Sequence, residues 1–247
     1  MTSYSNKSFS HLSLFFIAAM LLNGCIVGVN SDSIKGTGEL QSSNIDVSDF
    51  ANVLMAIPGE LTIAQGDEES LRLSAQTNLL PHIKINVVNN RLRIETDDNI
   101  SLDPTRTITI QLVVKSLDEL DFAGSGLVEI NTLSTTNLSV DFAGSGDVEI
   151  NELSATNLDV DFAGSGDLFL SGVVDEQNID IAGSGDIEAR DLMSQKADIE
   201  ISGSGSAVLN VKDELKATIN GSGSVRYIGN PVVDTEISGS GNVSALG

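Results

Sequence analysis

Apolar and polar residues alternate through most of this chain, and the alternation is most regular after residue 118. It is organised around Gly-Ser-Gly, which occurs seven times. Two residues before each copy the side chain is Phe or Ile: Phe122, Phe142, Phe162, Ile181, Ile201, Ile219 and Ile237. Two residues after each copy it is again apolar: Val128, Val148, Leu168, Ile187, Ala207, Val225 and Val243. A period of two predicts strands with one buried and one solvent-facing side.

Successive Gly-Ser-Gly copies are separated by 20, 20, 19, 20, 18 and 16 residues. A unit this short cannot bury its own apolar side, whereas stacked copies form one continuous core. The repeat therefore predicts an all-β fold, a right-handed parallel β-helix or β-solenoid. Between Gly36 and Gly241, twenty residues per rung would give about ten rungs and a rod of about 45–50 Å.

The glycines are predicted to form one corner of each rung, because a sharp turn between short strands requires a residue without a side chain. These structural positions are Gly124, Gly126, Gly144, Gly146, Gly164, Gly166, Gly183, Gly185, Gly203, Gly205, Gly221, Gly223, Gly239 and Gly241. A phosphate-binding loop is the alternative, but it requires a helix directly after the glycines. Here the alternating pattern continues after each copy.

Before residue 118 the repeat continues in a degenerate form. Residues 53–63 align with residues 140–150, and Gly36–Leu40 resembles a further copy. Asn89-Asn90 is predicted to form a tight turn. Further alternating segments occupy residues 70–75, 83–88, 91–96 and 107–114. We predict one domain over residues 36–247, with degenerate repeats at 36–117 and regular repeats at 118–247.

The amino-terminal segment predicts a signal sequence for export. Residues 12–22 form an apolar run that is too short to span a bilayer as a helix and suits a secretory signal peptide. The run ends at Leu22-Asn23-Gly24-Cys25, which resembles the lipobox of bacterial lipoproteins. That resemblance implies a signal peptide at 1–24, lipidation of Cys25 and a tether at 25–35. An ordinary signal peptide with a chance cysteine is the alternative. Ile26 in place of Asp favours the outer membrane over the inner membrane.

Several segments, in this order, resemble a known family. They are Val47-Ser48-Asp49-Phe50, Pro58–Ile63, Gln65-Gly66-Asp67, Asn78–Ile83 and the Gly-Ser-Gly-Asp repeats. Together they are similar to the auto-transporter adhesin head GIN domain, a bacterial domain of unknown function, over about residues 36–247. The resemblance implies a β-helical fold and a location in secreted or lipid-anchored proteins of the cell envelope. It supplies no catalytic residues.

The net charge of the chain restricts the classes of molecule that it can bind. The chain has 35 Asp and Glu against 13 Lys and Arg, a net charge of −22, which excludes a nucleic-acid partner. Residues 118–247 hold 23 acids and five bases, so the repeat carries most of it. Some acids recur at fixed offsets from the glycines and are candidate Ca²⁺ ligands: Asp121, Asp141, Asp161, Asp147, Asp167 and Asp186. The alternative is a solvated face with diffuse counter-cations, and no cofactor is predicted.

A catalytic function is disfavoured, because an active site would interrupt the repeat, whereas the acids here recur at the spacing of the repeat. His82 follows Pro81 in a turn-like segment, and the chain has no Trp to form a sugar platform. The preferred hypothesis is a non-catalytic, lipid-anchored surface module that binds an envelope, glycan or protein ligand. The alternatives are an assembly scaffold, which would form homo-oligomers through solenoid ends such as the open edge near residues 242–247, and a polysaccharide-active enzyme.

Overall fold

The computed structural model describes residues 32–246, where the regular structure is β-strand apart from a 3-10 turn at Leu80–His82. The strands before the regular repeat are β1 (Asp32–Lys35), β2 (Leu40–Ile45), β3 (Asn52–Met55), β4 (Gly59–Gln65), β5 (Ser70–Gln76), β6 (Ile83–Val88), β7 (Arg91–Thr96), β8 (Ile100–Asp103) and β9 (Thr109–Val114). The strands of the repeat are β10 (Glu119–Phe122), β11 (Gly126–Ile130), β12 (Leu133–Ser134), β13 (Asn137–Gly144), β14 (Asp147–Gly164), β15 (Asp167–Gly183), β16 (Asp186–Gly203), β17 (Ser206–Gly221), β18 (Ser224–Ile228), β19 (Val232–Gly239) and β20 (Asn242–Ala245). Within residues 32–246, no helix is long and apolar enough to cross a membrane.

The predicted signal peptide at 1–24 and the predicted lipidation site Cys25 lie outside the described residues. The end of the segment predicted as a tether is described. Its residues 32–35 form β1, which pairs in parallel with β8.

In the repeat, each turn of the chain lies on the turn before it, in parallel and in register. Phe122 of β10 lies beside Phe142 of β13, which lies beside Phe162 of β14. Strands on the other side of the Gly-Ser-Gly corner stack in the same way, with Val128 of β11 beside Val148 of β14. The structure therefore confirms an all-β parallel solenoid.

The inward side chains form continuous apolar columns along the stack. The rings of Phe122 and Phe142 have centroids 5.5 Å apart, and those of Phe142 and Phe162 are nearly parallel at 4.4 Å. The column continues in the buried residues Ile181, Ile201 and Ile219. Full burial of an apolar side chain of this size contributes about 1.5–3 kcal/mol. Each turn is therefore stabilised by the turns that cover it on both sides.

Successive Gly-Ser-Gly corners are in direct backbone contact. The N–H of Ser165 donates to the carbonyl oxygen of Gly144 at 3.1 Å, and the same contact is made by Ser145, Ser184, Ser204, Ser222 and Ser240. A Cβ on Gly164 would lie 2.3 Å from that carbonyl oxygen. At Gly203, a Cβ would be equally close to the carbonyl oxygen of Gly183, and the φ of 148° also disfavours other residues.

The prediction of about ten rungs is wrong, because the solenoid has about six turns. Seven Gly-Ser-Gly corners are separated by six intervals, and these intervals are the turns of the repeat. The prediction extended the twenty-residue period back to Gly36. In the structure, residues 66–118 do not follow the twenty-residue period, although β7 and β9 within them stack in parallel on β3 and β4.

Strands β3 and β4 form the layer next to the first regular turn. Met55 lies beside Phe122, and Gly59 lies beside Gly126. These are the columns that the alignment of residues 53–63 predicts. The degenerate segment therefore belongs to the stack, although its neighbour in space is 60 to 70 residues away in sequence.

Residues 66–118 close this end of the stack with two parallel strands and, next to these, antiparallel strands. Strands β7 and β9 lie in parallel on β3 and β4. Strand β6 is antiparallel to β7, β5 is antiparallel to β9, and β2 is antiparallel to β5. Asn89 and Asn90 join β6 to β7 with φ values of 52° and 65°, as expected of the predicted tight turn.

Gly36–Leu40 is not a copy of the repeat, which corrects the prediction. It leads into the antiparallel strand β2, and a Cβ on Gly36 would lie 2.1 Å from Oε1 of Gln76. The buried amide of Gln76 accepts from the N–H of Thr105 and donates to its hydroxyl. Residue 36 is therefore glycine because the amide of Gln76 leaves no room for a Cβ, and not because it forms a corner of the repeat.

One polar side chain interrupts the core of the repeat. Gln177 is fully buried in register between Leu158 and Ala197. Its Nε2 donates to Oγ of Ser194 at 2.7 Å, whereas its Oε1 has no hydrogen-bond partner among the described residues. An unpaired buried amide oxygen destabilises the fold.

Replacing Gly203 with Ala should destabilise the chain by about 2–3 kcal/mol, because the new Cβ meets the carbonyl oxygen of the preceding corner. Urea unfolding followed by circular dichroism measures the change. The control is Ser204→Ala in the same corner, where the exposed side chain should be replaceable within about 0.5 kcal/mol. Equal effects of the two variants would contradict the corner geometry.

Replacing Gln177 with Leu should raise the free energy of unfolding by about 1 kcal/mol, because the unpaired oxygen is removed while the volume is kept. The same unfolding assay measures it. Gln177→Ala is the matched control and should destabilise, since it leaves a cavity. A loss of stability in Gln177→Leu would show that the amide oxygen is satisfied in the folded chain.

Candidate functional site

In-register stacking places the outward aspartates of successive turns beside one another. We call Asp121, Asp141 and Asp161 the carboxylate column; they lie on β10, β13 and β14. Neighbouring strands are about 4.8 Å apart, so the carboxylates are held within a distance at which like charges repel. All three side chains are only partly exposed, which limits screening by water.

The column shifts the proton affinity of its members. Partial burial, followed by the hydrogen bond and charge of Asp121, raises the pKa of Asp141 to about 6. Partial burial and the charge of Asp141 raise the pKa of Asp161 to about 6. Burial and the charge of Glu119 also raise the pKa of Asp121, although Arg91 opposes this shift. The column therefore takes up protons at a pH where isolated aspartates remain ionised.

Arg91 neutralises one end of the column. Its Nη1 donates to Oδ2 of Asp121 at 2.6 Å, and its Nη2 donates to Oε2 of Glu119 at 2.5 Å. Arg91 lies on β7 and reaches these acids across β3, since Asn52 of β3 is in register with both Arg91 and Glu119. Residues 66–118, which we call the insertion, therefore supply a counter-charge to the first turn of the repeat.

Glu119, Asp121 and Asp141 offer carboxylate oxygens that all lie within 4.8 Å of one another, a spacing that suits a metal ion. Ca²⁺ takes six to eight oxygen ligands, more than three carboxylates supply as single donors. The guanidinium of Arg91 already pairs with two of the three acids. Arg91 therefore takes the role of the cation at this position, and cation binding by the column stays a prediction.

The second set of predicted ligands has a different environment. Asp147, Asp167 and Asp186 are in register on β14, β15 and β16. Oδ1 of Asp147 accepts from the N–H of Asp167 at 3.0 Å. Oδ1 of Asp186 accepts from the N–H of Ser206 at 3.1 Å and from its hydroxyl. Asp147 and Asp186 thus bind the backbone of the following turn, which explains an acid directly after their corners without a bound ligand.

Other titratable groups serve the insertion. His82 and Lys84 both contact Asp97, at 3.3 and 2.9 Å. Burial acts to raise the pKa of Glu69, but hydrogen bonds from the N–H of Asp49 and from Lys115 lower it overall. Glu69 also lines an open groove of about 640 Å³ beside β2, β5 and β9, where its own bonds hold the chain at residues 49–50. These contacts are structural and assemble no acid and base around a shared space.

Sequence reasoning found the column but missed its charged neighbours. Glu119 stands five residues before a corner, at the offset of Ser139 and Asp159, so alignment of the repeats was a signal for it. Arg91 gave no such signal. It lies outside the period, and only the parallel pairing of β7 with β3 brings it to the repeat.

A sequence model of the family described as "Putative auto-transporter adhesin, head GIN domain" matches residues 49–231. This match confirms the resemblance seen in the sequence. No curated protein matches the chain.

Several solved structures are similar to this chain. A putative adhesin from Bacteroides fragilis NCTC 9343 has a TM-score of 0.80 at 24% identity, covering 86% of this chain and 100% of that chain. A putative lipid binding protein from Parabacteroides distasonis ATCC 8503 has a TM-score of 0.75 at 27% identity, covering 87% and 100%. A putative adhesin from Parabacteroides merdae ATCC 43184 has a TM-score of 0.70 at 24% identity, with the same coverage. The fold described above is therefore shared along nearly all of the described chain.

Replacing Asp141 with Asn should stabilise the chain at pH 7.5 by about 1–2 kcal/mol, after allowance for solvent screening. The folded pKa of about 6 lies above the ordinary value of 3.8, so the folded state binds more protons than the unfolded state between these values. The destabilising contribution of Asp141 is present above pH 6 and is relieved as the pH falls. The gain should therefore be smaller at pH 5.

Urea unfolding at pH 5 and 7.5 checks this prediction. The control is Asp213→Asn, which removes an exposed acid outside the carboxylate column. A gain in Asp141→Asn that is equal at both pH values would contradict the coupling within the column.

Proposed function

Since the chain belongs to the family described as "Putative auto-transporter adhesin, head GIN domain", we propose that it is a non-catalytic binding module of the bacterial cell envelope. In this proposal the solenoid is a rigid support, and its outer face is the binding surface. The ligand is a component outside the chain, such as a glycan, an envelope component or a protein.

The in-register stacking is the observation that carries this proposal. It repeats one outward side chain at a fixed spacing, as in the carboxylate column, and a second row of aspartates lies after the corners. Rigid repetition allows a ligand that is itself repetitive to make many weak contacts together, which raises avidity without any strong single site. Divalent cations, including Ca²⁺, would associate diffusely with this acidic face.

A non-catalytic role is supported by the placement of the titratable groups. The clustered acids face Arg91, which pairs with them, and His82 lies at the surface of the insertion with Asp97. General acid-base chemistry requires a proton donor and acceptor around a substrate-sized space. The described residues place these groups in structural ion pairs and corner contacts.

The similar structure from Parabacteroides distasonis ATCC 8503 is that of a putative lipid binding protein. Lipid binding is not favoured as the role of the solenoid described here. Such a role requires an apolar space for an acyl chain. The interior columns are instead filled by packed rings and aliphatic side chains, with Phe122, Phe142 and Phe162 in ring contact. The association with lipid that we propose is covalent and occurs outside the solenoid, at Cys25.

In this proposal Cys25 becomes the lipidated first residue of the mature chain, and residues 26–31 connect it to β1. The lipobox-like sequence and Ile26 support an outer-membrane location. One acyl chain alone binds membranes weakly, whereas several chains on one residue give stable anchoring.

Replacing Cys25 with Ser should release the protein from the membrane fraction and abolish incorporation of labelled fatty acid, because the thiol is the only attachment site for the lipid. Cell fractionation and metabolic labelling measure the two effects. The matched control, Ser33→Ala, keeps Cys25 and should remain in the membrane fraction.

The same cells test binding. Cells that carry the wild-type protein should adhere to at least one surface in an array of immobilised glycans and matrix proteins, and Cys25→Ser cells should lose that adhesion. Membrane association that persists in Cys25→Ser would contradict the anchor. Failure of wild-type cells to adhere anywhere on the array would contradict the binding role.

A further inference from the structure

We infer that the end of the solenoid formed by β19 and β20 captures an extended, positively charged polypeptide segment by adding it as a further strand. This inference rests on the proposed function and names the class of ligand for it. It depends on three observations at this end: unpaired strand edges, exposed core side chains and unpaired acids.

The edges of β19 and β20 are open. Among the described residues, β19 pairs with β17 and β20 pairs with β18, each on one side. The N–H of Ser240 donates to the carbonyl oxygen of Gly221, toward the preceding turn. Since N–H groups alternate sides along a strand, those of Thr235 and Ile237 point to the open edge. Unpaired backbone groups of this kind are a template for another strand.

Core positions are uncovered at the same edge. Ile237 continues the column of Ile201 and Ile219, yet it is 43% exposed while they are fully buried. Val233, in register with the buried Leu215, is itself only partly buried. An added strand would cover these side chains as each turn covers the one before it.

The charge at this edge selects the partner. Asp234 and Glu236 alternate with these core positions on β19, and both are exposed. Neither forms an ion pair in the described part of the chain, and Lys216, which is in register with Asp234, donates instead to Asp198 at 2.8 Å. Side chains of an added strand would lie directly opposite the two acids. Opposite charges in such cross-strand pairs stabilise a sheet, and like charges destabilise it.

A second copy of this chain fits the edge poorly. Antiparallel pairing of two β19 strands about Thr235 would place Asp234 opposite Glu236, acid against acid. A segment with Lys or Arg at alternate positions and apolar residues between them matches both the acids and the uncovered core. The 23 acids of residues 118–247 would also attract such a segment over distance.

The opposite end of the solenoid lacks this combination. Its terminal strands are β6 and β2, which are antiparallel to their neighbours. Strand β6 carries Lys84, and β2 carries no charged side chain. A cationic segment is therefore expected to select the end formed by β19 and β20.

The probe is a fluorescent eight-residue peptide that alternates lysine and valine, and fluorescence anisotropy measures its binding to the full chain. The comparison peptide has proline for each valine, with the same charge but no ability to pair as a strand. We expect the first peptide to bind at least about tenfold more tightly, since it alone can use the open N–H and C=O groups.

Two variants of the protein locate the site. Thr235→Pro removes an N–H that faces the open edge and should weaken binding about tenfold, while the pairing with β17 is kept. Asp234→Asn with Glu236→Gln should weaken binding about three- to tenfold. The matched control, Glu149→Gln with Asp67→Asn, makes the same change in net charge away from this end and should have a smaller effect.

Several results would overturn the inference. The first is equal binding of the two peptides, and the second is an equal effect of the two double variants on binding. The third is a dimer in sedimentation that Thr235→Pro abolishes, because this result would assign the edge to a second copy of the chain. If circular dichroism shows that Thr235→Pro does not fold, the comparison of the two double variants decides whether the peptide binds at this end.

Adhesion separates this inference from the proposed function. Wild-type cells that adhere, together with double-variant cells at 234 and 236 that adhere equally, would overturn the inference and leave the binding role standing. Wild-type cells that do not adhere would overturn the binding role, whatever the peptide result.

Discussion

The close contact between successive Gly-Ser-Gly corners is the constraint on which the rest of this structure depends. A Cβ on Gly144 would lie 2.1 Å from the carbonyl oxygen of Gly124, so the two backbones meet with no side chain between them. The contact fixes the separation of the turns and their register together. Residues close to a corner therefore lie beside their equivalents in the next turn, whereas the register shifts farther away, as between Ile150 and Leu153. The apolar columns inside and the polar rows outside are two consequences of the same register.

The register that favours the core creates a problem on the outer face, where identical acids are brought together. Other rows reduce the repulsion by changing residue type from turn to turn. In the row that contains Asp159, Asn178 donates to Asp159 at 2.8 Å and Lys216 donates to Asp198. The row of the carboxylate column instead keeps an acid through five turns, because Asp180 and Glu200 follow Asp161 in register. The cost appears as raised pKa values of Asp141 and Asp161 and as the ion pairs of Arg91.

The periodic part of the fold was predictable, because its information is local and repeated. Alternation gave the strands, the spacing of Gly-Ser-Gly gave the stack, and alignment placed Met55 in the column of Phe122. The rest depends on contacts that no period encodes. Arg91 reaches Asp121 because β7 pairs with β3, and Gly36 is set by the amide of Gln76. Both contacts join residues that are tens of positions apart, and a single sequence carries no signal for such pairs.

The error in the number of rungs and the closure of one end have the same cause. A repeat cannot close its own stack, since each turn presents the edge that the next turn would cover. Closure needs residues that depart from the period, and residues 66–118 depart from it by forming antiparallel strands with a turn at Asn89-Asn90. At the other end, β19 and β20 still follow the period, with Ile237 in the column of Ile219 and Gly239 on Gly221. The end that was easy to predict is therefore the end that remains able to accept another strand.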